Sequence, residues 1–403
     1  MDLLFSVDVA VVLVISLLLS IPFILYCLHL FVRKNNITNT VSQESDIACV
    51  ITAYKNVEMA FLAADSLLKQ DYKNYHVYIV ADNCSFTDIE IPTHPKLTVL
   101  IPQEALGSKV RSMKFAVESF ARNHDAVAIF DPDNLADVKF LKECNRYLSH
   151  GYKAVQGRRT AKNLDSTIAC LDAMGELYYN YTTKEIPFNL GSSSIIAGSG
   201  MIIERSLFED FFETNYIKDN FNKVIPGEDK ALHYYIVAQG EQIAYNANAI
   251  LYDEKINNAG MVKNQRARWV NAYLINLRNA GSLFLKGLAS LDANRFIAGI
   301  LTLYPPLFLL VLSALLMFLI NLFYYTTLSA ILFVAILIFT LNFMLVLKTS
   351  NAHRKIWKAF WGIPYFMVNQ VLALLNIRKS NKDFLTTENT KKVSLEDVMK
   401  NSQ

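Results

Sequence analysis

The chain has 403 residues, a formal net charge of +3 and a hydrophobic share of 53%. The small charge and the absence of a long Lys/Arg run argue against nucleic acid as a partner. The hydrophobic share exceeds that of an ordinary soluble domain, and the excess lies near the N-terminus and after about residue 294. About 250 residues between these blocks suffice for one α/β domain. The five cysteines are scattered without a Cys-x-x-Cys pair, which fits a reduced compartment.

The N-terminal apolar block predicts a membrane-spanning helix. The run from Val9 to Val32 contains no Asp, Glu, Lys or Arg, and at 1.5 Å per residue it reaches across a bilayer core. Arg33 and Lys34 follow directly, so the positive-inside rule places the N-terminus outside and the next domain in the cytoplasm. The length of the run and its acidic flank argue against a cleaved signal peptide.

The C-terminal block predicts an out-and-back membrane hairpin. Its two apolar runs are Phe296–Phe323, interrupted by Pro305 and Pro306, and Leu328–Leu347. A further apolar segment, residues 359–375, is basic at both ends and contains Trp, Pro, Asn and Gln. These features favour an interfacial or re-entrant helix over a full span. The remaining residues are polar, and we expect them to be loosely ordered.

The middle region alternates predicted strands and helices. Such β-α-β alternation is typical of a mostly parallel sheet with helices on both faces, where ligands bind at the carboxyl ends of the strands. The predicted strands are 46–52, 75–81, 97–101 and 125–130, and the predicted helices are 58–69 and 107–122.

Two carboxylates follow the fourth predicted strand, in the sequence Asp131-Pro132-Asp133-Asn134. Residues i and i+2 of an extended chain point the same way, so Asp131 and Asp133 could bind one divalent cation together with a diphosphate. The alternative is a solvated turn, because Asp, Pro and Asn all favour turns.

Polar residues also follow other strands. Asp82 follows the second predicted strand and could accept the imide N–H of a uracil ring, or form an Asx turn. The segment Thr52-Ala53-Tyr54 follows the first strand and could form a wall of the same pocket. Lys109 opens a helix after Gly107, where it could meet phosphates or be solvated.

Gly227-Glu228-Asp229 precedes a helical run. An acidic residue in a first helical turn usually caps the helix or interacts with its dipole. The functional alternative is a general base that removes the proton of an acceptor hydroxyl.

Gln265, Arg268 and Trp269 are spaced to share one face of a helix, with Arg266 pointing elsewhere. Arg can bind a phosphate through two nitrogens and Trp can stack on a sugar ring. The same residues are also typical of a helix that lies on a membrane surface, and both roles are compatible.

In order, these clusters resemble the membrane-bound family 2 glycosyltransferases, which include the cellulose, hyaluronan and poly-N-acetylglucosamine synthases. The resemblance covers about residues 46–280, and QRARW at 265–269 matches the Gln-x-x-Arg-Trp motif of the family. The other matching segments are ITAY 51–54, VADNCS 80–85, GSK 107–109, DPDN 131–134, GSGM 198–201 and GED 227–229.

The resemblance implies a GT-A fold, an α/β domain of Rossmann type inserted between transmembrane helices, and inversion at the anomeric carbon. It implies a nucleotide-sugar donor, with a UDP-sugar expected, whose nucleotide is bound by Ala53, Tyr54, Asp82, Lys109 and Asp131. Asp131 and Asp133 would bind Mg²⁺ or Mn²⁺ and Asp229 would be the base. The acceptor and the diphosphate would lie against Glu228, Gln265, Arg268 and Trp269.

We therefore expect a hexosyltransferase that transfers sugar to a lipid-linked or growing glycan at the cytoplasmic face of the cell membrane. One alternative is a processive polysaccharide synthase that needs a partner chain or an oligomer, because three spans are few for a polymer tunnel. Another is an inactive sugar-binding scaffold. The predicted divisions are an anchor at 1–33, the GT-A domain at 34–260, an interfacial helix at 261–294, two spans at 295–348, an interfacial segment at 349–379 and a polar tail at 380–403.

Overall fold

The computed structural model describes residues 3–32, 37, 43–87, 89–221, 223, 227–374 and 391–401. The strands are β1 Ile47–Tyr54, β2 Tyr75–Asp82, β3 Leu97–Leu100, β4 Ala126–Phe130, β5 Leu135–Ala136, β6 Ala154–Ala161, β7 Met201–Glu204 and β8 Ile243–Asp253. The helices of the central domain are α2 Glu58–Leu68, α3 Lys109–Glu118, α4 Phe140–Leu148, α5 Thr167–Tyr179, α6 Ile186–Asn189, α7 Arg205–Phe212, α8 Asn215–Asn220 and α9 Glu228–Ala238. The remaining helices are α1 Leu3–Phe31, α10 Ala259–Ser290, α11 Ala293–Leu303, α12 Leu307–Tyr324, α13 Thr326–Thr349, α14 Arg354–Ala359, α15 Ile363–Ala373 and α16 Leu395–Asn401.

The strands form one sheet in the order β3-β2-β1-β4-β7-β6-β8-β5. Strands β3, β2, β1 and β4 pair in parallel, as the sequence predicts. β7 runs antiparallel to β4 and to β6, and β5 runs antiparallel to β8. Two reversed strands therefore make the sheet mixed. An apolar layer covers each face, so β1, β2 and β4 are buried on both sides and read as continuous apolar runs.

The four strands and two helices that the sequence predicts are present to within a few residues at each end. Strands β5 to β8 are additional. β5 has two residues and β7 has four, and β6 carries Arg158 and Arg159 in its second half, so hydrophobic periodicity alone does not reveal them.

Three helices of the described residues are long and apolar enough to cross a membrane: α1, α12 and α13. They pack on one another through small and branched side chains, including Leu19, Ala314 and Leu332. Helix α12 begins directly after Pro306, because proline stops the preceding helix α11 at Leu303. The second predicted span thus starts later than its apolar run.

The segment predicted to be interfacial is broken into α14, a 3₁₀ turn at Phe360–Gly362, and α15. The 11 residues of α15 rise only about 16 Å, too short for a bilayer core of about 30 Å. Trp361 and Tyr365 are exposed on this segment. Interfacial placement of this segment stays a prediction.

The C-terminal tail differs from the expectation of loose order. Residues 391–401 dock on the central domain, where Leu395 and Val398 are buried against Leu135 and Tyr252. Lys69 and Glu396 form an ion pair at 2.8 Å. Apolar residues at helical spacing in this short polar tail are the sequence pattern that could have predicted the docked helix. The segment 382–390, KDFLTTENT, lies outside the described residues.

Candidate active site

The carboxyl ends of five strands meet at one edge of the sheet. β1, β2 and β4 are parallel, and the two antiparallel pairings through β7 return β6 and β8 to the same direction. Tyr54 and Asp82 end β1 and β2, Asp131 follows β4, and Asp253 ends β8. The sheet therefore gathers at one edge residues that are up to about 200 positions apart in the chain.

Lys109 lies at the centre of this edge. Its Nζ donates to Asp131 Oδ1 at 2.5 Å and to the carbonyl oxygen of Gly198 at 2.8 Å. Burial by itself would lower the pKa of Lys109, but the charges of Asp131, Glu228 and Asp229 outweigh it, so the pKa is raised above its usual value. Lys109 is a protonated cation that links the strand-end carboxylate to the first turn of α9.

The acidic pair of α9 faces the same space. An added Cβ at Gly198 would lie 3.9 Å from Asp229 Oδ2, so the turn at Gly198 backs directly onto that carboxylate. A positive φ of +81° also favours glycine there. Burial raises the pKa of Glu228 to about 7, against the attraction of Lys109 and with the repulsion of Asp229. Two neighbouring carboxylates with different environments suit proton transfer at one of them.

Asn134 holds the loop that carries Asp131. Its Oδ1 accepts the Asp131 N–H at 3.0 Å, and its Nδ2 donates to Asp253 Oδ1 at 3.0 Å. The other oxygen of Asp253 accepts from Arg159 at 2.6 Å and from Lys255 at 2.9 Å. Sequence reasoning missed Asp253, although an Asp at the end of an apolar strand, in ILYDEK, is the same signal that identified Asp131.

Asp131 and Asp133 are the residues that would hold a divalent cation together with a substrate diphosphate. Asp133 is 7% exposed, and burial, with the charges of Asp253 and Asp131, raises its pKa to about 7. A bound cation would offset the cost of that buried carboxylate charge. The described residues contain no group of three His, Cys, Asp or Glu placed around one ion. Two carboxylates plus phosphate oxygens are a common way for proteins to bind Mg²⁺.

The predicted nucleotide contacts have other partners in this structure. Both oxygens of Asp82 accept backbone N–H groups, from Leu106 and Gly107, each at 2.7 Å. Asp82 thereby fixes the loop that leads into Lys109, and a contact to uracil stays a prediction. Ala53 is 1% exposed and its methyl group packs in the core, and its contact to a nucleotide stays a prediction. Tyr54 stays half-buried at the edge, with the Lys55 ammonium 5.2 Å from its ring.

The Gln265–Trp269 segment lies in the first third of α10. Burial lowers the pKa of Arg268, while Glu228 and Asp131 act in the opposite direction, which places its guanidinium near both acidic groups. Trp269 is 45% exposed. Gln265 Oε1 is buried and has no hydrogen-bond partner among the described residues. The structure thus brings Arg268 to the carboxylates and leaves Trp269 open.

Arg266 does not face away from this motif, contrary to the expectation. Its guanidinium carbon lies 4.0 Å from the centroid of the Trp269 ring, and its Nη2 donates to Asp172 at 2.5 Å. The reason is the i, i+3 spacing, which places residues 266 and 269 side by side on a helix.

A mixed sheet with acidic groups at its carboxyl edge is the arrangement expected of a GT-A fold. In fold the chain is similar to the mannosyltransferase PcManGT from Pyrobaculum calidifontis, solved in complex with GDP-Man and Mn²⁺. The TM-score is 0.54 and the identity 13%, over 93% of this chain and 97% of that chain. No curated protein sequence matches this chain.

The family of the chain follows from its sequence. The model of the family described as "Glycosyltransferase like family 2" matches residues 45–272, which is more than half of the chain. The protein belongs to this glycosyltransferase family. The expected fold class is confirmed, whereas the narrower likeness to cellulose and hyaluronan synthases stays a prediction.

Proposed function

We propose that this protein is an inverting hexosyltransferase that moves a sugar from a nucleotide-sugar to a lipid-linked or growing glycan at the cytoplasmic membrane face. One observation carries the proposal: Lys109, Asp131, Glu228, Asp229 and Arg268 converge at the carboxyl edge of the sheet. Three acidic groups and two cations thus come together from four separate segments. A reaction that removes one proton and releases a diphosphate needs an acidic group to take the proton and cations to face the diphosphate.

In the proposed reaction an acceptor hydroxyl attacks the anomeric carbon of the donor. Asp229 takes the hydroxyl proton as the new C–O bond forms. The bond between the anomeric carbon and the diphosphate oxygen breaks, and the nucleoside diphosphate leaves with that electron pair. Attack from the face opposite to the leaving group inverts the configuration.

Two cations face the departing charge. Lys109 already lies between Asp131 and the α9 carboxylates, and Arg268 approaches from α10. The planar fork of Arg268 suits two phosphate oxygens at once. A divalent cation held by Asp131 and Asp133 would supply further charge neutralisation on the diphosphate.

The position of α10 supports an acceptor that comes from the membrane. This helix exposes large apolar side chains along its length, at Leu274, Leu285 and Leu288, and the apolar helices α12 and α13 follow it. A helix with such a surface lies well on a lipid interface. The same helix carries Arg268 and Trp269, so the site and the membrane surface are neighbours.

The decisive experiment is a donor screen with the protein in its own membranes. Nucleoside diphosphate release is measured for UDP- and GDP-sugars with Mn²⁺ or Mg²⁺. The guanine arm is included because the solved mannosyltransferase binds GDP-Man. We expect release with a UDP-sugar, lost in Asp229→Asn and retained in Asp219→Asn, an exposed carboxylate of α8. If no donor gives release while a nucleotide still binds, the protein is a sugar-binding scaffold.

The membrane placement has its own test. Gln103 is exposed on the central domain, in the loop after β3. A cysteine placed there should react with an impermeant thiol reagent only after the cells are opened. Reaction in intact cells would place the domain outside.

The processive alternative differs in product length and in assembly. A single transfer yields one added sugar per acceptor, whereas a synthase yields a ladder of lengths. The ladder would have to coincide with an oligomer or a partner chain, because this chain offers three candidate spans among its described residues.

A further inference from the structure

The side chain of Arg266 covers one face of the Trp269 ring. The guanidinium carbon is 4.0 Å from the ring centroid, a stacking distance, and the two residues are one helical turn apart on α10. Trp269 as a residue is 45% exposed, so part of its side chain stays open to solvent next to Arg266.

Arg266 is itself anchored from a second helix. Asp172 on α5 accepts from its Nη2 at 2.5 Å, and the two side chains are 12% and 11% exposed. The ring of Phe366 on α15 lies 5.9 Å from the same guanidinium. Three helices of different parts of the chain thus fix one arginine, and that arginine contacts the exposed tryptophan.

We propose that Arg266 is a positioning residue that holds the Trp269 ring in the orientation that receives a sugar ring of the acceptor. The proposal rests on the proposed function, because it takes Trp269 as the stacking surface for the acceptor. Asp172 acts one step further away, by fixing the plane of the guanidinium. Arg266 touches no reacting atom in this arrangement.

Arginine has a property here that lysine lacks. The planar guanidinium can stack on the indole and donate to a carboxylate at its edge at the same time. The compact ammonium of lysine can keep the ion pair with Asp172 but presents no plane to the ring. Arg266→Lys therefore keeps the charge and removes the stacking.

The test uses a protein in which Trp269 is the sole tryptophan. The chain has three, so Trp357→Phe with Trp361→Phe leaves Trp269 alone. Acrylamide quenching of its fluorescence then reports exposure of this ring. The variants are Arg266→Lys and Asp172→Asn, and the control is Arg278→Lys, an exposed arginine of the same helix. Thermal unfolding of each variant verifies that it is folded.

We expect the quenching constant to rise in Arg266→Lys and Asp172→Asn, by at most about twofold because the ring is already 45% exposed. Arg278→Lys should match the parent. A second measurement separates transfer from donor cleavage: incorporation of labelled sugar into the membranes, against nucleoside diphosphate release in detergent without acceptor. Transfer should fall about 10- to 100-fold, as for a misplaced binding group, and release should stay unchanged.

Unchanged quenching in both variants would overturn the proposal. Increased quenching with full transfer would also overturn it, since Arg266 would then only pack against the ring. An equal fall of transfer and of acceptor-free release would show a general structural effect and would likewise overturn it. If the parent protein transfers no sugar at all, the proposed function fails, and the quenching alone decides whether Arg266 holds Trp269.

Discussion

Replacement of Gly227 by alanine should damage both stability and turnover. Gly227 has a φ of +72°, and an added Cβ would lie 2.7 Å from the Cβ of Ala272 on α10. The left-handed backbone costs an L-residue about 1–2 kcal/mol, and overpacking of this kind costs about 1–3 kcal/mol more. We expect a loss of about 2–5 kcal/mol in the free energy of unfolding.

The functional effect follows from the position of Gly227 at the start of α9, two residues before Asp229. A Cβ there pushes α9 away from α10, and with it the Asp229 carboxylate moves relative to Lys109. Displacement of a reacting group by about 1 Å can reduce turnover about 100-fold. Nucleotide binding at the β1 and β2 ends should change little, because α9 packs mainly on α7, α10 and α11.

Two further variants separate the backbone strain at Gly227 from the steric contact with Ala272. Gly151 has a φ of +89° and nothing within 4 Å of its added Cβ, so Gly151→Ala has the backbone strain alone, about 1–2 kcal/mol. Ala272→Gly removes the atom that Gly227→Ala would strike. The double variant should therefore lose less stability than the sum of the two single changes. Thermal or denaturant unfolding in detergent measures stability, and nucleoside diphosphate release measures turnover. Additive losses, or equal losses in Gly227→Ala and Gly151→Ala, would refute the steric argument.

Three other predictions concern the acidic groups. Asp229→Asn should reduce turnover about 100-fold or more while nucleotide binding persists, and wild-type turnover would assign the base elsewhere. The pKa of Glu228 is about 7 in the folded protein against a usual 4.5. The contribution of this group to the free energy of unfolding is therefore fully present below pH 4.5 and is lost as pH rises through 7. Unfolding temperature measured from pH 5 to 8 should thus fall less in Glu228→Gln than in the parent, and parallel curves would contradict this. Asp133→Ala should remove most of the donor turnover and also the thermal stabilisation by UDP with Mn²⁺. Full activity of the parent protein in excess chelator would show that the reaction does not use a metal.

The sequence by itself determined the helices that are long and apolar enough to cross a membrane, the first half of the sheet and the family. Long runs without charge specify spans, and apolar strands buried on both faces read as continuous runs, as in YHVYIVAD of β2. Short-range order of this kind depends only on neighbours in the chain. Asp131, Asp133 and Asp229 were predicted because each follows a strand or opens a helix in a recognisable local pattern.

Tertiary structure alone decided which side chains meet. Lys109 could have been a solvated cation, and only the close approach of β4, the Gly198 turn and α9 makes it the partner of Asp131. Asp82 turned out to accept two loop amides. The pairing of Arg266 with Asp172 joins residues 94 positions apart. Contacts over such separations depend on strand order and helix packing, which hydrophobic periodicity does not encode one segment at a time.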